Sequence, residues 1–486
     1  MSNNKLNPKA KPDHKAIVRV NDVEGVRCEV FLPTNPGDSL RLHLQTDTKL
    51  DNIPVRFSIE GDVIGFDGTL EKKIISNSVY RITGSTSYWS KGIPDTVIIG
   101  EPLDLTIIEY RKTASKDESS DVVWGYFMIE PRLRFPFIKS LEMSYTGEIN
   151  VEQLGEHKFT ISPGVDLTLD EFYNFSDSQA GKFECTPKIV AKFCIDTSAL
   201  EEIINFKEID DLLMLVSFTK RKRHMCTGYV VSDSDTTKTY YRCRMAVDRS
   251  EGDQDFFSEL IDRASWNEFI AMAYKKMSGL DDEKRGFLRR AVNCAISSKK
   301  EIFESSYITL YSGIESLVAL FSKEHPSSRK ILANTQWRTF KKGFEELVEE
   351  VFPESSNETS EQSNLEKKKI LLGKLSNLNC YPMGKAFEMM TDSYDVDLQD
   401  LWPVYETGRK AKDLSWIRNE LAHGSVIPFE KSSALMGARE HLKWTLERLV
   451  LGFLGWPIEK SNVSEDFLSK NMACYCSLKE DRAVLS

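Results

Sequence analysis

Apolar and polar residues tend to alternate from about Ala16 to Asp248, and from about Phe256 the apolar ones recur at three- and four-residue intervals. Arg27–Leu32 and Ser39–Leu44 alternate clearly, Val55–Ile59 does the same, and Ile17–Val20 does so in part. A period of two puts apolar side chains on one face of a half-buried sheet. Pro33–Asp38, Glu60–Asp62 and Asp67–Gly68 supply turn residues between the runs. Val122–Ile129 is apolar almost throughout and reads as a central strand, entered from the polar loop Ser115–Asp121. A hairpin is expected to join Gly228–Val231 to Lys238–Tyr241 across Ser232–Thr237. Short strands with such turns predict an antiparallel sandwich or barrel over residues 15–250, with room for a second β subdomain across 140–200.

Phe256, Leu260, Ile261, Phe269, Ile270 and Ala273 open the helical part. Asp281–Lys323 reads as one long helix or two in series, and Trp337–Val351 as another. Glu354–Asn364 is rich in serine and glutamate and reads as a flexible connection. Leu365–Leu378 and Leu401–His423 follow as helices, and Phe429–Leu454 closes an all-α bundle spanning 255–460. Residues 1–14 read as a flexible tail, and residues 461–486 as a loosely docked C-terminal tail.

Composition narrows the function classes. Of 486 residues, 41% are hydrophobic and 28% charged, with a formal net charge of -10. That balance opposes a protein coated with nucleic acid but leaves room for a small basic pocket. No apolar leader is visible and the apolar run near Leu449–Trp456 is too short to span a bilayer, so a cytoplasmic protein without a membrane partner is expected. Nine cysteines without regular spacing read as reduced thiols.

One stretch carries candidate chemistry: Leu414-Ser-Trp-Ile-Arg418-Asn419-Glu-Leu-Ala-His423-Gly424. Leu414, Ile417 and Leu421 form a stripe that seats a helix, and Gly424 suits the position that ends it. Five residues of separation turn Arg418 and His423 about 140° apart on that helix, while Asn419 and His423 share a face. Dimerisation would let two copies of the motif build one composite pocket. Histidine suits proton transfer near neutral pH, favoured in its protonated form at a helix C-terminus. Arginine offers a planar fork of donors to phosphate oxygens, and Asn419 can hold the imidazole or the phosphate. These residue types fit metal-free RNA cleavage. The plain alternative is an Arg418 paired with a carboxylate and a His423 that merely ends a helix.

Arg-x4-His in its Arg-Asn…His-Gly form, late in a helical region, resembles the HEPN superfamily, over residues 256–456. Tyr307–Leu317 also looks like an early helix of that fold. A β-rich region ahead of such a domain, with fragments such as Phe31–Pro36, is similar to the ApeA family of bacterial phage-defence proteins. The resemblance implies a dimeric (or larger) HEPN-like α bundle and a metal-independent endoribonuclease using Arg418 and His423. It also implies abortive infection as the setting, cellular RNA such as tRNA as substrate, a phage-derived trigger, and a β region that senses it. Glu315 corresponds to a supporting polar residue. Some HEPN-like domains lack nuclease activity, so a binding or scaffold protein is the rival expectation.

Other candidates are weaker. Arg409, Lys410 and Lys412 stand where they would line the mouth of an RNA pocket. Lys220–His224 is the densest basic cluster and reads as a charged edge strand or loop, with RNA contact the less favoured reading; Arg289-Arg290 reads as a solvated helix face. His224-x-Cys226 with Cys243, and Cys474-x-Cys476, lack zinc spacing. Asp395, Asp397 and Asp400 read as loop and capping residues rather than a cation site. No phosphate-cradling loop or nucleophile elbow is present, so no cofactor and no metal is expected.

Overall fold

A computed structural model of the chain describes residues 12–485 except 33–39, 48–53, 65–69, 89–93, 111–121, 131–138, 144–148, 154–156, 163–164, 178–182, 197–205, 233–235, 243–258, 298–301, 327–329, 353–357, 407–411 and 426–427. The turns at Pro33–Asp38 and Asp67–Gly68, the loop Ser115–Asp121, and Phe256 therefore lie outside the described residues. The chain divides into a β unit, residues 1–217 and 222–254, and a helical unit, residues 218–221 and 255–486.

In the β unit β1 (His14–Val20), β2 (Val23–Phe31), β3 (Arg41–Thr46), β4 (Arg56–Ile64), β5 (Leu70–Tyr88) and β6 (Pro94–Pro102) come first. They pair antiparallel in the order β5-β4-β1-β2-β3-β6, and β6 returns to β5, closing a six-stranded barrel. Alternation explains the closure. Ala16, Val18 and Val20 face inward from β1, and Val26, Cys28 and Val30 from β2, onto Leu42, Leu44, Phe57 and Ile59. Gly61 permits the close approach of β4 to β1, because a Cβ there would stand 2.1 Å from the Ile17 carbonyl oxygen. His14, expected to belong to a flexible tail, is instead paired to Val30 in β1.

The sheet runs on from β5 through β7 (Asp104–Tyr110), then β8 (Val122–Glu130), β9 (Lys139–Met143) and β10 (Ile149–Gln153) enter the chain. After them come β11 (His157–Ser162), β12 (Val165–Asp177) and β13 (Phe183–Asp196). Helix α1 (Phe206–Lys220) precedes β14 (Met225–Ser232) and β15 (Thr236–Arg242). The continuing order is β7-β15-β14-β8-β13-β12-β11, while β9 and β10 form a separate pair. Strand β8 is interior, as its apolar run implied, and β14 and β15 form the expected hairpin with Gly228 opposite Tyr241. One thirteen-stranded sheet thus joins what was expected to be a sandwich or barrel with room for a separate subdomain.

The helical unit holds α2 (Trp266–Ser278), α3 (Asp282–Ser297), α4 (Phe303–Glu324) and α5 (Asn334–Val351). These are followed by α6 (Glu358–Leu378), α7 (Met383–Ser393), α8 (Leu414–Ala422) and α9 (Ser432–Leu454). Three short helices end it: α10 (Glu465–Asn471), α11 (Ala473–Cys476) and α12 (Leu478–Leu485). Helix α9 is buried along most of its length and is the axis of the unit. Gly313 on α4 lets three helices meet, since a Cβ there would come within 2.6 Å of Leu446 on α9 and 3.0 Å of Cys294 on α3. No helix among the described residues is long and apolar enough to cross a membrane.

Four expectations are corrected. Residues 461–486 are not a loose tail: Val463, Leu468 and Leu485 are buried, and Tyr475 donates to Asp400 at 2.9 Å. The stretch Glu354–Asn364 is helical from Glu358, since glutamate is a good helix former whatever its polarity. Among the described residues of Leu401–His423, helix begins at Leu414; Pro403 disfavours helix just before it, and Asp413 caps the start. The Lys220–His224 cluster is neither a solvated edge nor an open RNA surface. Lys220 pairs with Glu259 at 2.9 Å, Arg221 grips Glu447, and His224 is buried, leaving only Arg223 exposed. Of the Arg289-Arg290 pair, Arg290 is exposed and Arg289 half-buried.

His441 is buried in α9 and accepts the Trp402 backbone N–H on Nδ1 at 3.3 Å, a bond that needs a neutral ring. Burial pushes its pKa down from 6.5 to about 4, with Arg448 pushing the same way and the Cys474 backbone and Asp400 opposing. The unfolded chain therefore binds the extra proton first. Stability should be intact above pH 6.5 and fall as pH drops toward 4, by on the order of 2–3 kcal/mol. Urea melts at pH 7 and pH 4.5 check this. His441→Asn, which keeps an acceptor but cannot titrate, should remove that part of the acid sensitivity.

Candidate active site

Helix α8 carries the Arg418–His423 motif, and its local geometry follows from its sequence. Asp413 Oδ1 accepts the Trp416 backbone N–H at 2.7 Å and the Ser415 hydroxyl at 2.8 Å, and Oδ2 accepts the Glu406 N–H at 2.9 Å. Leu414 and Ile417 are buried against the bundle. At the other end Gly424 takes φ +76°, with its N–H on the Leu421 carbonyl and the Ser425 N–H on the Glu420 carbonyl. That paired arrangement satisfies the last carbonyls and ends the helix at Ala422, with His423 as its C-cap.

The neighbour of α8 is α4, which presents Tyr307, Tyr311 and Glu315 one turn apart along one face. Tyr307 is fully buried and donates to the Leu414 carbonyl at 3.0 Å, fixing the start of α8 on α4. Tyr311 donates to the Tyr405 hydroxyl at 2.6 Å and lies under the Arg418 guanidinium, 5.4 Å from ring centroid to Cζ. Burial pushes the Tyr311 phenol up, with Glu315 adding to the rise while the Tyr405 hydrogen bond and Arg418 oppose it. It stays a neutral hydroxyl at physiological pH. Burial and the neighbouring Tyr311 raise Tyr405 further.

Arg418 is held from three sides. Its Nη2 donates to Glu315 at 3.3 Å, its Nη1 to Asn419 Oδ1 at 3.1 Å, and the Tyr311 ring lies beneath. The Arg418 and Glu315 side chains remain 35% and 40% exposed, enough for an anion to reach the guanidinium. Asn419 and His423 are both exposed. The structure thus brings Arg418, Asn419 and Glu315 together. His423 stands at the end of the same helix, where its backbone N–H bonds the Asn419 carbonyl, and among the described residues its ring makes no hydrogen bond or ion pair.

Of the expected RNA contacts, Arg409 and Lys410 lie outside the described residues. Lys412 donates to the Leu485 carbonyl at 3.1 Å and covers the Trp416 ring at 4.3 Å, so it braces α8 against the C-terminal helix. Asp400 is gripped by Arg448 through two bonds of 2.5 and 2.7 Å; burial alone would raise its carboxyl, but the guanidinium holds it below the usual range. Tyr311 and Tyr405 escaped the sequence reading. The one signal was the four-residue spacing of Tyr307, Tyr311 and Glu315. Among the described residues no three His, Cys, Asp or Glu side chains gather as a metal site would need.

No family model matches the chain, and no curated protein or solved structure is detectably similar to it.

Proposed function

We propose that the protein is an endoribonuclease of HEPN type, acting in defence against phage, with the Arg418–His423 motif as its cutting site. The observation that carries the reading is the guanidinium of Arg418, oriented by Glu315, Asn419 and the Tyr311 face yet still open to solvent. A fixed, accessible fork of donors on the same short helix as an exposed histidine supplies residue types that a phosphodiester would require. In the reaction the substrate 2′-OH loses its proton and its oxygen bonds to phosphorus. The P–O5′ bond breaks, and the departing 5′ oxygen takes a proton. His423 serves proton transfer and Arg418 the charge on the phosphoryl oxygens. Because the two side chains diverge on α8, a working pocket draws on a second copy. The β unit is then the part that senses a trigger.

The Glu315–Arg418 pair also favours a second reading. A guanidinium neutralised by a carboxylate suits a non-catalytic docking surface equally well. Incubating the purified full chain with total bacterial RNA in EDTA, with and without extract of phage-infected cells, separates the two. Fragments ending in 2′,3′-cyclic phosphate and 5′-OH are expected. RNA bound but uncut under both conditions supports the scaffold. Cutting that EDTA abolishes points to a metal-dependent nuclease instead.

A further inference from the structure

Helix α5 leaves an apolar seam open. Trp337, Phe340, Phe344, Leu347 and Val351 recur at spacings of three and four, the pattern of a helix that buries one narrow stripe against another helix. The first three stack in sequence, with ring centroids 5.4 and 6.3 Å apart. Phe340, Leu347 and Val351 are nevertheless 44%, 53% and 60% exposed, and Val348 is the one residue of α5 that is buried. The neighbouring helix α6, tied to α5 by a Lys368–Glu349 ion pair, adds exposed Leu365, Ile370 and Leu371. A contiguous apolar surface of this kind marks an interaction site.

The charges beside the seam identify the occupant. The first half of α5 carries Arg338, Lys341 and Lys342; the second half carries Glu345, Glu346, Glu349 and Glu350. Two such helices laid parallel would set lysine beside lysine and glutamate beside glutamate, whereas antiparallel the lysines of each copy meet glutamates of the other. We infer that this face docks a second copy of the same chain, α5 against α5, antiparallel about a twofold axis. Self-complementarity of this type is what a closed two-fold interface demands. With the axis between Glu345 and Glu346, Phe344 packs on Leu347 of the second copy and Phe340 on its Val351. Lys341 and Lys342 then lie beside Glu350 and Glu349 of the second copy. The seam runs about 27 Å along an 18-residue helix. This interface uses neither α8 nor Arg418, so it stands or falls apart from the ribonuclease reading.

Reciprocal charge reversal tests it on the full chain, read by sedimentation mass. One variant carries Lys341→Glu and Lys342→Glu, the other Glu349→Lys and Glu350→Lys. Each alone should weaken self-association at least tenfold and halve the assembly mass. An equimolar mixture should restore it, since each variant then meets the opposite charge and restoration also shows that both are folded. A wild-type chain that is monomeric at tens of micromolar overturns the proposal. So does a mass unchanged by either variant, or a mixture that fails to recover.

Discussion

Replacing Glu447 with alanine should destabilise the helical unit by about 3–5 kcal/mol. Glu447 is 1% exposed and accepts two bonds from Arg221, at 2.7 and 2.6 Å, while the Lys443 ammonium stands 3.9 Å away. Arg221 and Lys443, both buried, face this carboxylate. Its removal leaves both in a medium that screens them poorly, and they repel each other. Arg221→Met should cost less, because Glu447 keeps Lys443 and the methionine fills much of the vacated space. The order Glu447→Ala worse than Arg221→Met is the sharp part of the expectation. Urea unfolding with unchanged slope measures it. A loss below 1 kcal/mol for Glu447→Ala would show that the turn Phe218–Arg221 is held by packing alone.

That turn also shows where one-dimensional reading stops. Arg221 and Glu447 are 226 residues apart, so nothing near Lys220–His224 announces the carboxylates that take its charges. A basic run in sequence looks solvated whether or not its partners arrive in three dimensions. Helix α1 was missed for a related reason. Leu212–Phe218 is buried on every side, so it shows neither period two nor period 3.6 and is ambiguous between strand and helix. Elements with one wet face were legible. Strands β1 to β4 alternate because one face lines the barrel, and α8 shows its stripe, its Asp413 cap and its Gly424 stop in plain sequence. The candidate site was legible only along α8 and at Glu315. Tyr405, which positions Tyr311 under Arg418, comes from a segment 94 residues from it, and no local pattern links the two.

Under the ribonuclease reading, Arg418→Ala should lower single-turnover cleavage about 10²–10³-fold, the usual loss when one preorganised donor to a developing oxyanion is removed. Arg418→Lys should recover little of it. The ammonium can still face Glu315, but it lacks the planar fork that bonds Glu315, Asn419 and a phosphate at once, and it stacks less well on Tyr311. His423→Ala should cost about 10²–10⁴-fold through loss of proton transfer. Among the described residues its ring makes no hydrogen bond or ion pair to the fold, so melting behaviour should stay that of the parent. Glu315→Gln is the informative intermediate. It keeps an acceptor near Arg418 but removes the carboxylate that competes with the substrate phosphate, so binding should tighten while the rate falls modestly. If alanine at both 418 and 423 leaves cutting at the parental rate in EDTA, the Arg418–Glu315 contact is a surface ion pair, and the helical unit serves docking rather than chemistry.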